Sequence, residues 1–272
     1  MQEFLDFFET MPIWMKAGWV FATLALFWIL EGYYQLFNLK YKKWKHAKVN
    51  LVLLLFVMVI NAVFGIATAG VFTWGETSQY GLLHYFEAPI WVELLISIMI
   101  LDLIAQYGVH YLLHKVKWMW RLHLVHHSDK NVDASSGTRH HPLDFMVRET
   151  FALVAVIITG MPIAFYFFYR ILSVLFTYWT HANVSLPLWL DKGMSYVIVT
   201  PNMHKFHHHF ELPWTDSNYG NMLAIWDRIF GTFVYENLKD IQYGIDIADH
   251  VDHESIGVQL KMPFNKDVKS KC

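Results

Sequence analysis

The sequence predicts an all-α integral membrane protein with about four to five membrane segments and a histidine-rich cap on the cytosolic side. Three observations predict it. Of 272 residues, 55% are hydrophobic and only 16% charged, where a soluble domain carries roughly 25% charged residues; the mean hydropathy is +0.29. The apolar residues are gathered in runs near the ~20 residues that cross a bilayer. Finally, twelve of the 16 histidines fall between His110 and His209.

Composition narrows the classes further. A net charge of −2 makes no case for nucleic acid. Cys272 is the only thiol, so disulfides and thiolate metal sites are excluded. The acidic start, M-Q-E-F-L-D-F-F-E-T, lacks the basic character of a signal peptide, and insertion through the first membrane helix is expected.

Taken in order, Ala17 to Asn38 is the first apolar run, interrupted by Glu31. Five lysines follow (Lys40, Lys42, Lys43, Lys45 and Lys48) and mark a cytoplasmic loop. Leu51 to Val71 is the second span, with Asn61 inside. Phe72 to Pro89 has neither Lys nor Arg and suits the opposite side. Ile90 to Tyr107 is the third span and leads into His110. Lys115, Lys117, Arg121 and Lys130 return the chain to the cytoplasm. Ser128 to Asp144 is a polar turn region. Phe145 to Tyr178 is apolar around Gly160, Met161 and Pro162, which predicts a hairpin of two helices. That hairpin returns His181 to the side it left. Three regions follow: membrane helices over 1–89, a catalytic region over 90–235, and a polar cytosolic tail over 236–272.

The histidines form patterns. His110 and His114 make H-x-x-x-H; His123, His126 and His127 make H-x-x-H-H; His204, His207 and His208 repeat it. Residues three or four apart share a helix face, so each pattern aims imidazoles at one place. Burying eight imidazoles with no shared purpose would leave many polar nitrogens to satisfy. Eight ligands are too many for one ion and suit two; His181 is a ninth. His140, His141 and His209 are not assigned to the set, and His141, before Pro142, shapes the loop. No Glu lies between paired histidines as in a zinc H-E-x-x-H site, and the Glu-x-x-His of carboxylate-bridged bundles is absent. An all-histidine pair of redox metals remains, iron first among them. Such a centre activates O₂ against unactivated C–H bonds.

Supporting residues can be named. Asp102, Gln106, His110 and His114 are spaced by four and predict one polar stripe, with Asp102 an intramembrane carboxylate that accepts a ligand N–H. Asn183, Asp216, Asn218 and Asp227 lie near the later ligands and are read the same way. Arg121 and Arg139 are read as surface or loop-pinning residues, and Phe206, Phe210 and Trp214 as lining either a substrate entry or the core.

H-Y-L-L-H, R-L-H-L-V-H-H-S and M-H-K-F-H-H-H, in this order, resemble the histidine boxes of the fatty acid hydroxylase and sterol desaturase superfamily. T-R-H-H-P-L-D, T-H-A-N-V-S-L-P and residues 216–233, D-S-N-Y-G-N-M-L-A-I-W-D-R-I-F-G-T-F, resemble segments between and after those boxes. N-Y-G and W-D-R-I-F-G-T also resemble segments of alkylglycerol monooxygenases, which cleave ether lipids. The resemblance runs from about Asp102 to Phe233. It implies a membrane-bound non-haem di-iron oxygenase that hydroxylates, or desaturates, a lipid with O₂. It carries the metal ligands to His110, His114, His123, His126, His127, His204, His207 and His208, with His181 added. No H-P-G-G of a fused cytochrome b5-like domain and no G-x-G-x-x-G occur, so electrons are expected from a separate partner. A zinc-dependent membrane hydrolase, or a metal-binding or transport protein, is the alternative. The lipid, the electron donor and the oligomer stay open.

Overall fold

A computed structural model describes residues 2–236, 241–245 and 251–268. Among them the chain is all helix, with no strand beyond isolated bridges. A short amphipathic helix, α1 (Gln2–Glu9), comes first. Its Phe4 and Phe8 rings meet Phe168 edge-on at 5.1 and 5.2 Å.

Four segments are long and apolar enough to cross a membrane: Ile13–Tyr33, Lys43–His84, Ile90–Lys115 and Ile163–His181. Most of their apolar surface is unburied; Phe21, Ile29, Leu55, Val59, Ile66 and Leu95 are all exposed. Contiguous apolar surface on this scale calls for lipid as its solvent. The protein is an integral membrane protein.

The first helix, α2 (Ile13–Tyr33), ends five residues before the apolar run does. Beyond it the backbone leaves helical geometry to pair with the segment after His181: Leu36 N donates to Asn183 O (3.0 Å) and Ser185 N to Tyr34 O (2.7 Å). The next helix, α3 (Lys43–Ser78), has 36 residues, about 54 Å at 1.5 Å per residue, and so overshoots a ~30 Å hydrocarbon core. Part of the lysine-rich stretch, expected to be a loop, is therefore its first turns. Lys45 and Lys48 are exposed while His46, Ala47, Val49 and Asn50 are buried, and Lys43 turns back to pair with Glu31 (3.2 Å).

The third segment is α4 (Ile90–Asp102), a π-helical stretch (Leu103–Gly108) and α5 (Val109–Lys115). The expected polar stripe does not survive this. A π turn closes i→i+5 rings, so the spacing of four loses its phase across Leu103–Gly108. Asp102 and Gln106 face the later membrane hairpin instead, bonding Tyr169 and Ser173 (both 3.0 Å). His110 and His114 turn away toward the cap.

After α6 (Lys117–His127) the chain makes a 3-10 turn (Ala134–Thr138) and enters the hairpin, α7 (Pro142–Thr159) and α8 (Ile163–His181). The hairpin forms as predicted around Gly160 (φ +66°). Its turn docks against Gly81 (φ +123°), where a Cβ would lie 2.3 Å from Gly160 N, so only glycine fits. Asp144, Arg148 and Glu149 keep α7 off the set of membrane-length apolar helices. The core of the bundle joins α4, α7 and α8 through Leu101, Ala155, Val156, Phe165 and Tyr169.

The cap is built from α6, α9 (Leu188–Met194), α10 (Pro201–His207), α11 (Ile225–Ile229) and α12 (Ile256–Lys261). The tail after residue 236 is not polar throughout. Ile245, Met262 and Val268 pack on Val49, Leu53, Trp120 and Leu124, and Arg121 clamps it by donating to Pro263 O, Val268 O and Asn265 O.

Candidate metal centre

Both H-x-x-H-H boxes lie on short buried helices that end where the membrane bundle meets the cap. In a helix, adjacent residues point about 100° apart, so the paired histidines of a box cannot aim at one point. The structure divides them. One ligand atom from each of His110, His114, His123, His127 and His207 falls within 4.8 Å of the others; one from each of His126, His181, His204 and His208 forms a second group. Each box serves both groups: His123 and His127 the first and His126 the second; His204 and His208 the second and His207 the first. All nine predicted histidines are brought together, and each is at most 6% exposed.

Their tautomers follow from their partners, because a carbonyl or carboxylate can only accept. His110 Nδ1 donates to Tyr219 O (2.8 Å), His181 Nδ1 to Thr177 O (2.7 Å), His207 Nδ1 to Ser217 O (2.7 Å) and His126 Nδ1 to Arg139 O (3.3 Å). His123 Nδ1 faces Asp144 Oδ2 (3.4 Å), and His114 Nδ1 faces Asp216 Oδ1 (3.3 Å). Every Nε2 in these rings then carries a lone pair. Yet His110 Nε2 lies 3.0 Å from His123 Nε2, and His181 Nε2 lies 3.1 Å from His126 Nε2. Lone pairs held this close in a dry interior repel unless a cation lies between them. Both nitrogens of His127 and His208, Nε2 of His207 and Nδ1 of His204 are buried with no hydrogen-bond partner.

Protons do not fill this role. Burial, reinforced by neighbouring imidazoles, holds His126, His127, His204 and His208 well below the ordinary imidazole range. Burial lowers His123 to about 4 against the pull of Asp144, and His207 to about 3. At neutral pH these are neutral donors, the form that binds a metal. The donor set fits two metal ions.

Of the residues expected to orient the ligands, Asp216 alone contacts a ring, facing His114 Nδ1. Asp102 touches no histidine; it accepts from Trp226 Nε1 (2.9 Å), Tyr169 OH and Leu223 N, tying α4 to the loop that supplies Tyr219 O. Asp227 accepts from Tyr219 N (2.7 Å) and Gly220 N (2.9 Å), and reaches His110 only through that backbone. Asn218 (φ +53°) braces the other box by bonding Met203 O and Val234 O. Asn183 bonds Phe37 N and O, not a ring. None of these four touches a ligand ring; backbone carbonyls take the positions beside His110, His181, His207 and His126. The carboxylates in contact are Asp216 and Asp144. Asp144 also accepts from His140 Nδ1 (2.7 Å); its spacing of four from His140 was the available signal.

The remaining histidines separate. His140 stacks on His126, with centroids 4.7 Å apart and planes at 11°. His141 caps α7 by accepting from Leu143 N (3.1 Å), the loop-shaping role expected. His209 stacks with Trp214 at 5.0 Å, outside both groups. Arg139, expected at a surface or pinning a loop, is fully buried and pins: it donates to Val125 O (3.0 Å), Asn50 Oδ1 (3.0 Å) and His253 O (2.5 Å). Glu31 holds both neighbouring loops, accepting from Ala134 N (2.5 Å) and Asn183 N (2.8 Å).

Beside the site a cavity of about 150 Å³ runs into the bundle, from Gly137, Thr138 and His140 toward Arg170 and Asn61. Gly137 is needed there: a Cβ would lie 2.9 Å from Thr177 Cγ2 and 3.4 Å from His181 Nδ1. Phe206, Phe210 and Trp214 do not line this cavity; Phe206 is buried beside Tyr235.

The sequence profile of the fatty acid hydroxylase family matches residues 94–232. The chain belongs to the fatty acid hydroxylase family. Among its curated relatives are the alkylglycerol monooxygenase of Homo sapiens, 30% identical over 139 residues (51% of this chain, 30% of the relative), and an ornithine lipid hydroxylase of Rhizobium tropici, 27% identical over 166 residues (60% and 49%). A very-long-chain aldehyde decarbonylase of Oryza sativa is 27% identical over 235 residues (80% and 88%). The chain spans less than half the length of the first two relatives. No solved structure matches.

Proposed function

We propose that this chain is a membrane-bound, O₂-dependent di-iron oxygenase that hydroxylates a lipid, with desaturation as the second outcome of the same chemistry. The observation that carries this reading is the facing Nε2 lone pairs of His110 with His123 and of His181 with His126, inside two buried groups of five and four histidines. Two bound irons would supply the activation of O₂ that removes hydrogen from an unactivated C–H bond.

The chain's own residues do the rest. Carbonyls of Tyr219, Thr177, Ser217 and Arg139 fix the ring orientations, so the donor atoms converge before metal arrives. The cap helices keep water away from the nine rings. The cavity beside His140 accepts the reacting part of the lipid. A 150 Å³ space takes a group of about benzene size, so the remainder of the lipid stays in the bilayer. Lys42, Lys45, Lys48 and Lys117 are exposed around the site end, which supports a cytosolic site by the positive-inside rule. Electrons would arrive there from a separate donor.

The test is metal analysis of the purified protein with comparative lipid mass spectrometry under ¹⁸O₂. Two irons per chain, O₂ consumption and an ¹⁸O-labelled lipid are expected. Zinc alone with O₂-independent turnover would overturn the proposal in favour of a hydrolase.

A further inference from the structure

The cavity is more polar than a site for plain hydrocarbon requires. Arg170, Glu149 and Asn61 each sit near the middle of a helix, α8, α7 and α3 respectively. They meet at one point on the cavity wall. Arg170 Nη1 donates to Glu149 Oε1 (2.6 Å), and Nη2 donates to Asn61 Oδ1 (3.1 Å). These bonds engage two of the five guanidinium donors, and the Arg170 side chain keeps 28% of its surface exposed. Charged residues at this depth are costly and usually serve function. From this point a polar stripe follows one face of α8 through Ser173 and Thr177 to His181, all but the last lining the cavity. Arg170 precedes His181 by eleven residues, about 16 Å along the helix.

The charge on Arg170 is already balanced by Glu149. A ligand bearing a full charge would leave that charge uncompensated in a low-dielectric interior. A neutral group that both donates and accepts meets no such cost: it accepts from Arg170 and donates to the Glu149 carboxylate. A hydroxyl has both capacities. We propose that Arg170, Glu149 and Asn61 form a subsite for a neutral hydrogen-bonding group, a hydroxyl in the first instance, on the lipid. The substrate is then an amphiphile held by an internal polar group and oxidised at a fixed distance from it. The proposal rests on the oxygenase reading for the word substrate, but the binding it predicts does not need turnover.

The test uses the full-length holoprotein in lipid nanodiscs and measures retention of radiolabelled 1-dodecanol, dodecane and dodecanoate at equal mole fraction. Wild type is expected to prefer the alcohol to both others. The double variant Arg170→Met with Glu149→Met removes the pair without leaving a lone charge, a change that folded proteins usually tolerate. It should lose alcohol retention about tenfold, the scale of a hydrogen bond to a charged group, and keep dodecane retention. Asn61→Val, which leaves the ion pair intact, should lose part of the same preference and serves if the double variant does not fold. No preference for the alcohol in wild type, preference for dodecanoate, or equal loss of alcohol and alkane would overturn the subsite. Iron content and ¹⁸O incorporation are read on the same samples. No alcohol preference in wild type with both intact sinks the subsite alone, and a wild-type preference without iron or O₂ dependence sinks the oxygenase reading alone.

Discussion

A histidine's role here is decided by which way it points from a short helix, and the comparison of neighbours makes this testable. His207 and His209 are two residues apart, yet one joins the first group of donors and the other stacks on Trp214. His207→Ala should lower bound iron and lipid turnover by about 100-fold or more, while His209→Ala should keep near-normal iron. Equal iron in both, by plasma mass spectrometry, would count against the ligand assignment. Asp144 gives a second test. It holds His123 and His140 from the first turn of α7. Asp144→Asn keeps the shape but replaces an acceptor with a donor, and should reduce iron affinity or activity by about 10–100-fold. The nine ring positions were legible in the sequence because spacing on a helix face is a strong signal. Of their supports Asp216 was legible and the rest were not. A carbonyl such as Tyr219 O carries no residue signature, and Asp144 stands 17 residues beyond His127, so only the folded loop brings it to His123.

At the scale of elements, the hairpin and the π stretch are instructive in opposite ways. Gly160-Met161-Pro162 interrupts an apolar run, and the structure breaks it there. The same glycine also sits against Gly81, a contact that no local pattern announces. Gly160→Ala should lower stability by about 1–3 kcal/mol, from its positive φ and the collision with Tyr80 O at 2.5 Å. Gly70→Ala, within α3 and with nothing near its Cβ position, should be neutral or raise stability by up to about 1 kcal/mol. Thermal unfolding in detergent compares the two, and equal melting temperatures would refute the docking of the hairpin turn. The π stretch defeats pattern reading altogether. Leu103–Gly108 looks like ordinary helix, so a spacing of four joined Asp102 to His114, and the wider turn then sent them to different neighbours.

For the whole molecule, the site exists only because separate helices end on one side. α5, α6, α8 and α10 contribute rings to the two groups, and between α6 and α8 the chain runs away along α7 and returns. Gly137 against His181 on one end, and Gly81 against Gly160 on the other, fix both ends of that excursion. This closure is what makes the two H-x-x-H-H boxes one site, and it fixes the topology that labelling must find. Cys272 is the only native thiol, so a Cys272→Ser background accepts single probes. Cysteines replacing Lys48 and Lys192, both exposed near the site end, should react with a membrane-impermeant maleimide only from the cytosolic face. A cysteine replacing Gln79, exposed where α3 meets the α3–α4 connection, should react only from the opposite face. Labelling of Lys48 and Lys192 positions from different faces would separate the boxes by a bilayer. No arrangement of imidazoles across a ~30 Å hydrocarbon core could then share two ions. The same face for both, with Gln79 on the other, is the result required by nine rings packed within two groups of 4.8 Å.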